Sequence, residues 1–247
     1  MLPSESFIED PVLGRILVRR NARARRLIFR TDDEGTLVVT APKRASEKTI
    51  REGIQALLPR LEKMQKRAAD KQAVRQITPS FRIDAQDFSF WSEEARVSRM
   101  TVRQRQGALV CYYPAGQEFQ HPQIQRWLIS MIEQSLRLHA QVLFPTRLET
   151  MAQARGLRFS NLSIHKTHGR WGSCSTAGRI NLSLYLMLLP RHLQEYVMKH
   201  ELTHLVEMNH GTRFWQLLDQ SVQGHSEEYR RELKRYDTSI FTLMQGE

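Results

Sequence analysis

The segment KHELTHLVEMNHGTRFW, residues 199–215, restricts what this chain can fold into more than any other part of the sequence. His200 and His204 are four residues apart, so on a helix their imidazoles lie on the same side, one turn apart. Apolar residues recur between the polar ones at helical spacing, which is typical of a helix with one buried face. Glu201 follows the first histidine directly and therefore lies beside the pair. The segment predicts a partly buried helix that presents both imidazoles to one point.

This HExxH spacing is the one that metallohydrolases use to hold a zinc ion and to place a general base next to it. The alternative is a pair of solvated histidines without a ligand. The apolar flanks count against that alternative, because semi-buried imidazoles need partners. We therefore predict zinc as the cofactor, with His200 and His204 as ligands and Glu201 as the catalytic base.

A catalytic zinc usually takes three protein ligands, and the preferred third candidate is His210. Asn209 and Gly211 flank it, and both residue types tolerate the backbone conformation that ends helices and turns the chain back. Other side chains beyond the helix remain open as the third ligand: Glu227, Glu228 and, as a weaker choice, His225.

The stretch HELTHLVEMNHGTRFW resembles the YgjP-like predicted metallopeptidases, relatives of the SprT-like and WLM groups. Two further blocks are similar to that family: RWGSCSTAGRINLS at 170–183 and the opening hairpin at 25–46. One departure is Ser183, where family members commonly carry Asn. The resemblance implies a metallopeptidase fold, zinc ligands at His200, His204 and His210, and Glu201 as general base.

The RWGSC strand is the candidate for binding an extended peptide along a sheet edge near the metal. Arg170, Trp171 and Ser173 would then line the substrate cleft. The alternative is purely structural: Trp171 in the core, Gly172 at a close backbone contact, and Cys174 as an inert buried thiol.

Composition places the chain among globular proteins of one large or two small domains, with 247 residues of which 40% are hydrophobic. No run of 18 apolar residues appears, so we expect no membrane span. The first residues lack the pattern of a signal peptide, and two cysteines make no disulfide framework. We expect a cytoplasmic protein with reduced thiols.

The formal net charge is +11, and residues 1–110 contribute +8 of it, from 22 basic and 14 acidic residues. Residues 14–30 alone contain seven arginines and no acid. This stretch predicts possible weak binding of nucleic acid or nucleotide. The alternative is a solvated hairpin whose charged edges prevent aggregation.

The pattern of elements predicts an α+β protein with a basic, β-rich N-terminal domain at 1–119. Strands at 15–41 with a DDEG turn precede a helix capped by Ser46 and kinked at Pro59. A second β region then contains a Gln–Gly turn, and residues 114–122 form the predicted linker. No internal repeat is evident.

The predicted second domain, 120–247, is a mainly helical, minimal zincin-like domain with a small antiparallel sheet. A helix from Pro122 is interrupted at Pro145, three short strands follow, and the HExxH helix runs from about 191 to 208. Two helices close the chain.

These features favour a zinc metallopeptidase that acts on a peptide or protein substrate. Two alternatives remain: a zinc-dependent nucleoside triphosphate pyrophosphatase that uses the same activated water, or a nucleic-acid-associated protein with a structural zinc. The presence of Glu201 beside the ligands argues against a structural zinc, because a structural zinc site does not need a general base.

Overall fold

The computed structural model describes residues 5–32 and 36–242, and for residues 69–74 it describes the backbone alone. The chain forms two compact units, Met1–Gln76 and Ile77–Glu247. Both combine sheets with helices, which confirms the predicted α+β class.

The first unit is a four-stranded sheet followed by two helices, with its own apolar core. Ser46 caps the first helix by accepting a hydrogen bond from the Thr49 amide at 3.1 Å, as predicted. The predicted DDEG turn lies largely outside the described residues, because only Asp32 of its four residues is included. The elements are β1 (Glu5–Asp10), β2 (Gly14–Asn21), β3 (Ile28–Thr31), β4 (Leu37–Pro42), α1 (Glu47–Ala56) and α2 (Leu58–Val74), and the sheet order is β1-β2-β4-β3.

The second unit opens with a sheet of the same topology. Its order is β5-β6-β8-β7, and in both sheets an antiparallel outer pair flanks each side of a central parallel pair. This structural repeat was not evident in the sequence. Gln106 and Gly107 form the predicted turn with φ of 52° and 84°. The strands are β5 (Ile83–Ala85), β6 (Phe88–Glu94), β7 (Thr101–Arg105) and β8 (Ala108–Tyr113).

This division differs from the predicted boundary at 119/120. Phe88 and Phe90 of β6 are buried in the same core as Leu128 and Ile132 of the following helix, α3 (Pro122–Gln153). The predicted linker at 114–122 includes Phe119, whose side chain is buried against Tyr113. The second β region therefore packs as part of the second unit.

Helix α3 runs without a break through Pro145, so the predicted interruption there is wrong. A proline inside a helix removes one backbone hydrogen bond and typically costs about 3 kcal/mol. Phe144 and Leu148, on either side of it, are fully buried. Their packing holds the helix together across the proline.

The rest of the unit is a small sheet and three helices. The sheet has the order β10-β11-β9, and β11 pairs with β9 in parallel, so it is mixed rather than wholly antiparallel. Strand β10 lies at its edge. The elements are β9 (Asn161–His165), β10 (Gly172–Cys174), β11 (Arg179–Ser183), α4 (Arg191–Thr203), α5 (Thr212–Ser221) and α6 (Ser226–Leu233).

Among the described residues, no helix combines the length and the apolar character that crossing a bilayer requires.

Candidate metal centre

Helix α4 carries the first two histidines at its C-terminal end. It ends at Thr203, earlier than predicted, and His204 is the residue that terminates it, still in helical conformation. The ring centroids of His200 and His204 are 5.0 Å apart. The two imidazoles therefore lie side by side, as the i, i+4 spacing predicts.

The chain after α4 turns back and brings His210 to the same point. Its Nε2 lies 3.1 Å from Nε2 of His200, and the His210 carbonyl accepts a hydrogen bond from the indole of Trp215 at 3.0 Å. One ligand atom from each of His200, His204 and His210 lies within 4.8 Å of the others. Among the described residues, no other group of three histidine, cysteine or acidic side chains has this arrangement.

The ring of Phe214 supports all three imidazoles. Its side chain is fully buried, and its centroid lies 4.8 Å from that of His200 and 4.6 Å from those of His204 and His210. A rigid aromatic ring in contact with each imidazole limits their rotation. Helix α5 thus supports the histidine cluster from below through Phe214 and anchors His210 through Trp215.

Burial favours the neutral form of two of the histidines. Burial, followed by repulsion from His204, His210 and Arg230, lowers the pKa of His200 to about 3. Burial also lowers the pKa of His204. The Nδ1 of His204 lies 3.2 Å from the Glu207 carbonyl, which fixes the proton on Nδ1 and leaves Nε2 free. Three imidazoles that converge on one point fit a divalent metal ion.

Glu201 is buried beside this cluster and lacks a full set of partners. Its side chain is 5% exposed, and its Oε2 has no hydrogen-bond partner among the described residues. Burial raises its pKa to about 8. An unpartnered buried oxygen is costly unless a cation or a water satisfies it. A divalent cation on the neighbouring imidazoles would lower this pKa and so favour the carboxylate.

Strand β10 packs its backbone directly against Glu201. A Cβ atom on Gly172 would meet Oε1 of Glu201 at 2.7 Å and its Cγ at 2.8 Å. Cys174, two residues further, has a pKa raised to about 11 by burial and by the charge of Glu201. The purely structural alternative expected a close backbone contact at Gly172, and that contact is present. Cys174 is a protonated thiol.

The three predicted substrate residues flank this contact. Arg170 is exposed, and Trp171 is partly buried against the core. The hydroxyl of Ser173 accepts a hydrogen bond from the Asn181 side chain across the strand pair at 3.2 Å. Their role toward a substrate stays a prediction.

The alternative third ligands lie at the start of α6 and contact other polar side chains there. His225 Nδ1 is 2.8 Å from a carboxylate oxygen of Glu228, and Glu227 pairs with Arg230 at 3.5 Å. None of them belongs to the group formed by the three histidines.

Two polar contacts that hold α4 in place were missed in the sequence. Arg155 reaches the Lys199 carbonyl at 3.3 Å and the Thr203 hydroxyl at 3.2 Å, which ties down the C-terminal turn of the helix. At the other end, Gln194 bonds to the Arg147–Asp87 ion pair, whose charged groups are 2.6 Å apart. No local pattern marks such residues, because their partners are far away in the chain.

Comparison with known proteins gives a clear family match. The family described as "YgjP-like, metallopeptidase domain" matches residues 25–236. No curated protein matches. Among solved structures, the metallopeptidase zymogen abylysin of Pyrococcus abyssi is 22% identical, covering 36% of this chain and 91% of its own, with a TM-score of 0.33. That score is too low to support an argument, so the assignment depends on the sequence match. The chain belongs to the YgjP-like metallopeptidase-domain family.

Proposed function

We propose that this protein is a zinc-dependent metallopeptidase, with His200, His204 and His210 as the zinc ligands and Glu201 as the general base. The observation that carries the proposal is the convergence of three imidazoles beside one buried carboxylate. Three histidine ligands with an open fourth position are typical of catalytic rather than structural zinc.

When bound, zinc supplies Lewis acidity: it lowers the pKa of a coordinated water toward about 7 and polarises the carbonyl under attack. The protein's part is positional. The three imidazoles offer lone pairs in a fixed arrangement above Phe214, and burial favours the neutral form of His200 and His204 by lowering their pKa.

Glu201 moves the proton. Its carboxylate accepts the proton of the attacking water and then donates it to the nitrogen of the leaving amine. Burial keeps competing bulk water away from this carboxylate, and the backbone of β10 at Gly172 holds it in place. We assign the water's proton to Oε2, the carboxylate oxygen without a hydrogen-bond partner among the described residues.

A peptide substrate is supported by the position of β10. This strand is at the edge of its sheet and contacts the general base through Gly172, so an extended chain paired with it would pass the cluster. Arg170, Trp171 and Ser173 lie on or next to this strand and are our candidates for substrate contact.

We also propose a reducing, cytoplasmic setting and a secondary affinity for polyanions. Cys111 and Cys174 are both free thiols. In the first unit, Arg23, Arg25 and Arg26 are exposed on the connection between β2 and β3. This concentration of charge supports weak binding of nucleic acid or nucleotide.

A pair of assays tests the function. Casein digestion and phosphate release from nucleoside triphosphates are measured on the same zinc-loaded preparation, with and without a chelator. Inorganic pyrophosphatase is added to the second assay, so that any pyrophosphate released is converted into phosphate. We expect chelator-sensitive casein digestion and no phosphate release. Chelator-sensitive phosphate release alone would instead indicate the pyrophosphatase, and the absence of both activities would leave a structural zinc.

A further inference from the structure

A groove of about 490 Å³ adjoins the histidine cluster, and His204 is one of its lining residues. Three segments form the rest of it. The chain that follows α4 forms one side, and the hairpin turn between β10 and β11 forms the other, together with residues 158–160. Ligand sites commonly have volumes of about 300–1,000 Å³, so this groove is large enough to receive a substrate side chain.

The groove presents apolar side chains to solvent. Val206 is 44% exposed and Met208 is 39% exposed, and both line it, together with Leu205 and Phe159. Within the described part of the second unit, only two other large apolar side chains are as exposed, and both lie on α3. Neighbouring exposed apolar residues next to a reactive centre are typical of a binding surface.

The side of the groove formed by residues 158–160 and the β10–β11 turn is held in place by hydrogen bonds. The Ser160 amide donates to the Gly178 carbonyl at 2.9 Å, and the Ser160 hydroxyl donates to the Ala177 carbonyl at 2.8 Å. Gly178 also lies close to Leu205, since a Cβ there would be 3.6 Å from its Cδ2. This side of the groove is therefore formed before any substrate binds, which reduces the entropy lost on binding.

The groove carries positive charge and no negative charge. Arg158 lines it, and no acidic residue is among the lining residues. Within the described parts of the chain, no carboxylate pairs with Arg158. A lysine or arginine side chain placed here would meet a like charge and find no carboxylate to pair with.

We propose that this groove is a specificity site that receives one aliphatic or aromatic side chain of an extended peptide substrate, next to the bond that is cleaved, and that rejects lysine and arginine. The inference rests on the proposed peptidase function. His204 lines the groove and is also a proposed zinc ligand, so a side chain in the groove lies next to the bond that is cleaved. It adds the class of residue that the enzyme selects.

The diagnostic substitution is Val206→Asp, which puts a negative charge on the apolar wall without touching the three histidines or Glu201. Val142→Asp is the matched control, because Val142 is 72% exposed on α3 and does not line the groove. Both substitutions exchange an exposed valine for aspartate in the same unit, so general effects on solubility and stability should be alike.

Binding and cleavage are measured separately. Fluorescein-labelled decapeptides of alanine and glycine, with a single central leucine or lysine, are titrated into the zinc-loaded Glu201→Gln protein and followed by anisotropy. The same peptides are then incubated with the zinc-loaded wild-type protein, and the cleavage sites are identified by mass spectrometry.

We expect the leucine peptide to bind about tenfold or more tightly than the lysine peptide, the range typical of one apolar side chain in a pocket. Val206→Asp in the Glu201→Gln background should remove or reverse that preference, and Val142→Asp should leave it intact. Cleavage should occur next to the leucine. Equal binding of both peptides, or a preference that survives Val206→Asp, would overturn the groove proposal even if casein is digested. Failure to cleave any peptide while the Val206-dependent preference persists would count against the peptidase function and not against the groove.

Discussion

Substituting Gly172 by alanine is the sharpest test of how Glu201, the proposed general base, is held. The added Cβ would lie 2.7 Å from Oε1, 2.8 Å from Cγ and 2.9 Å from Cδ of Glu201, whereas ordinary contacts begin at 3.4 Å. Gly172 has no positive φ, so alanine strains only the packing and not the backbone. Relief therefore requires the carboxylate or the strand to move by about 0.5–0.7 Å, a shift comparable to those that impair catalysis.

Neither partner can move freely. Strand β10 is paired with β11, where Gly172 faces Leu182, and the Ser183 amide donates to the Trp171 carbonyl at 2.8 Å. The side chain of Glu201 is 5% exposed and surrounded by packed residues. Overpacking of this kind typically costs about 1–3 kcal/mol of folding stability. A misplacement approaching 1 Å at a reacting group costs about 100-fold in rate.

We expect Gly172→Ala to lower kcat for casein or peptide hydrolysis by about 10- to 100-fold, with zinc content unchanged because no proposed ligand is touched. The melting temperature should fall by a few degrees, about 2–4 °C for each kcal/mol in a chain of this size. Gly211→Ala is the control, since a Cβ there meets nothing within 4 Å although the residue adjoins His210. A Gly172→Ala enzyme with activity within twofold of wild type would refute the claim that β10 positions Glu201.

Three further predictions address the metal, the base and the basic unit. Metal analysis of purified His210→Ala should show zinc well below one ion per chain, and a wild-type content would mean that the third ligand lies elsewhere. In metal-free protein, burial raises the pKa of Glu201 from 4.5 to about 8, so the folded state keeps a proton that the unfolded chain releases between these values. Urea denaturation should therefore show wild type losing stability relative to Glu201→Gln as the pH rises from about 5 to about 8, and a constant difference would contradict the assigned burial. Neutralising Arg23, Arg25 and Arg26 together should flatten the dependence of DNA or RNA affinity on salt concentration, and no binding at low salt would favour the solvated-hairpin alternative.

Sequence patterns correctly predicted the elements that depend on contacts between residues close together in the chain. The cap at Ser46 depends on a side chain three residues from its partner, and the Gln106–Gly107 turn depends on Gly107, which tolerates its positive φ. The HExxH helix was predicted for the same reason, although it ends at Thr203 instead of 208. His200 and His204 follow from one helical turn. His210 was favoured because Asn209 and Gly211 tolerate the left-handed conformation, but neither has a positive φ, and Gly211 is instead the extended residue that precedes α5.

Features that depend on distant partners could not be read from the sequence. Pro145 predicts a break in α3, but the fully buried Phe144 and Leu148 hold the helix across it. The boundary at 119/120 was predicted from a polar stretch of sequence. The structure divides at Gln76/Ile77 instead, because the β5–β8 sheet is buried against α3. The contact of Phe214 with all three imidazoles likewise needs the folded chain.

The central claim is that Glu201 is a base and not a ligand, and hydrolysis by the Glu201→Gln protein tests it most directly. Glutamine keeps the shape of the side chain but cannot accept the proton of the attacking water. We predict that the variant retains one zinc per chain and hydrolyses casein about 10²- to 10⁴-fold more slowly than wild type. An undiminished rate at full zinc content would contradict the proposed mechanism, and loss of the zinc would show that Glu201 belongs to the metal's ligands.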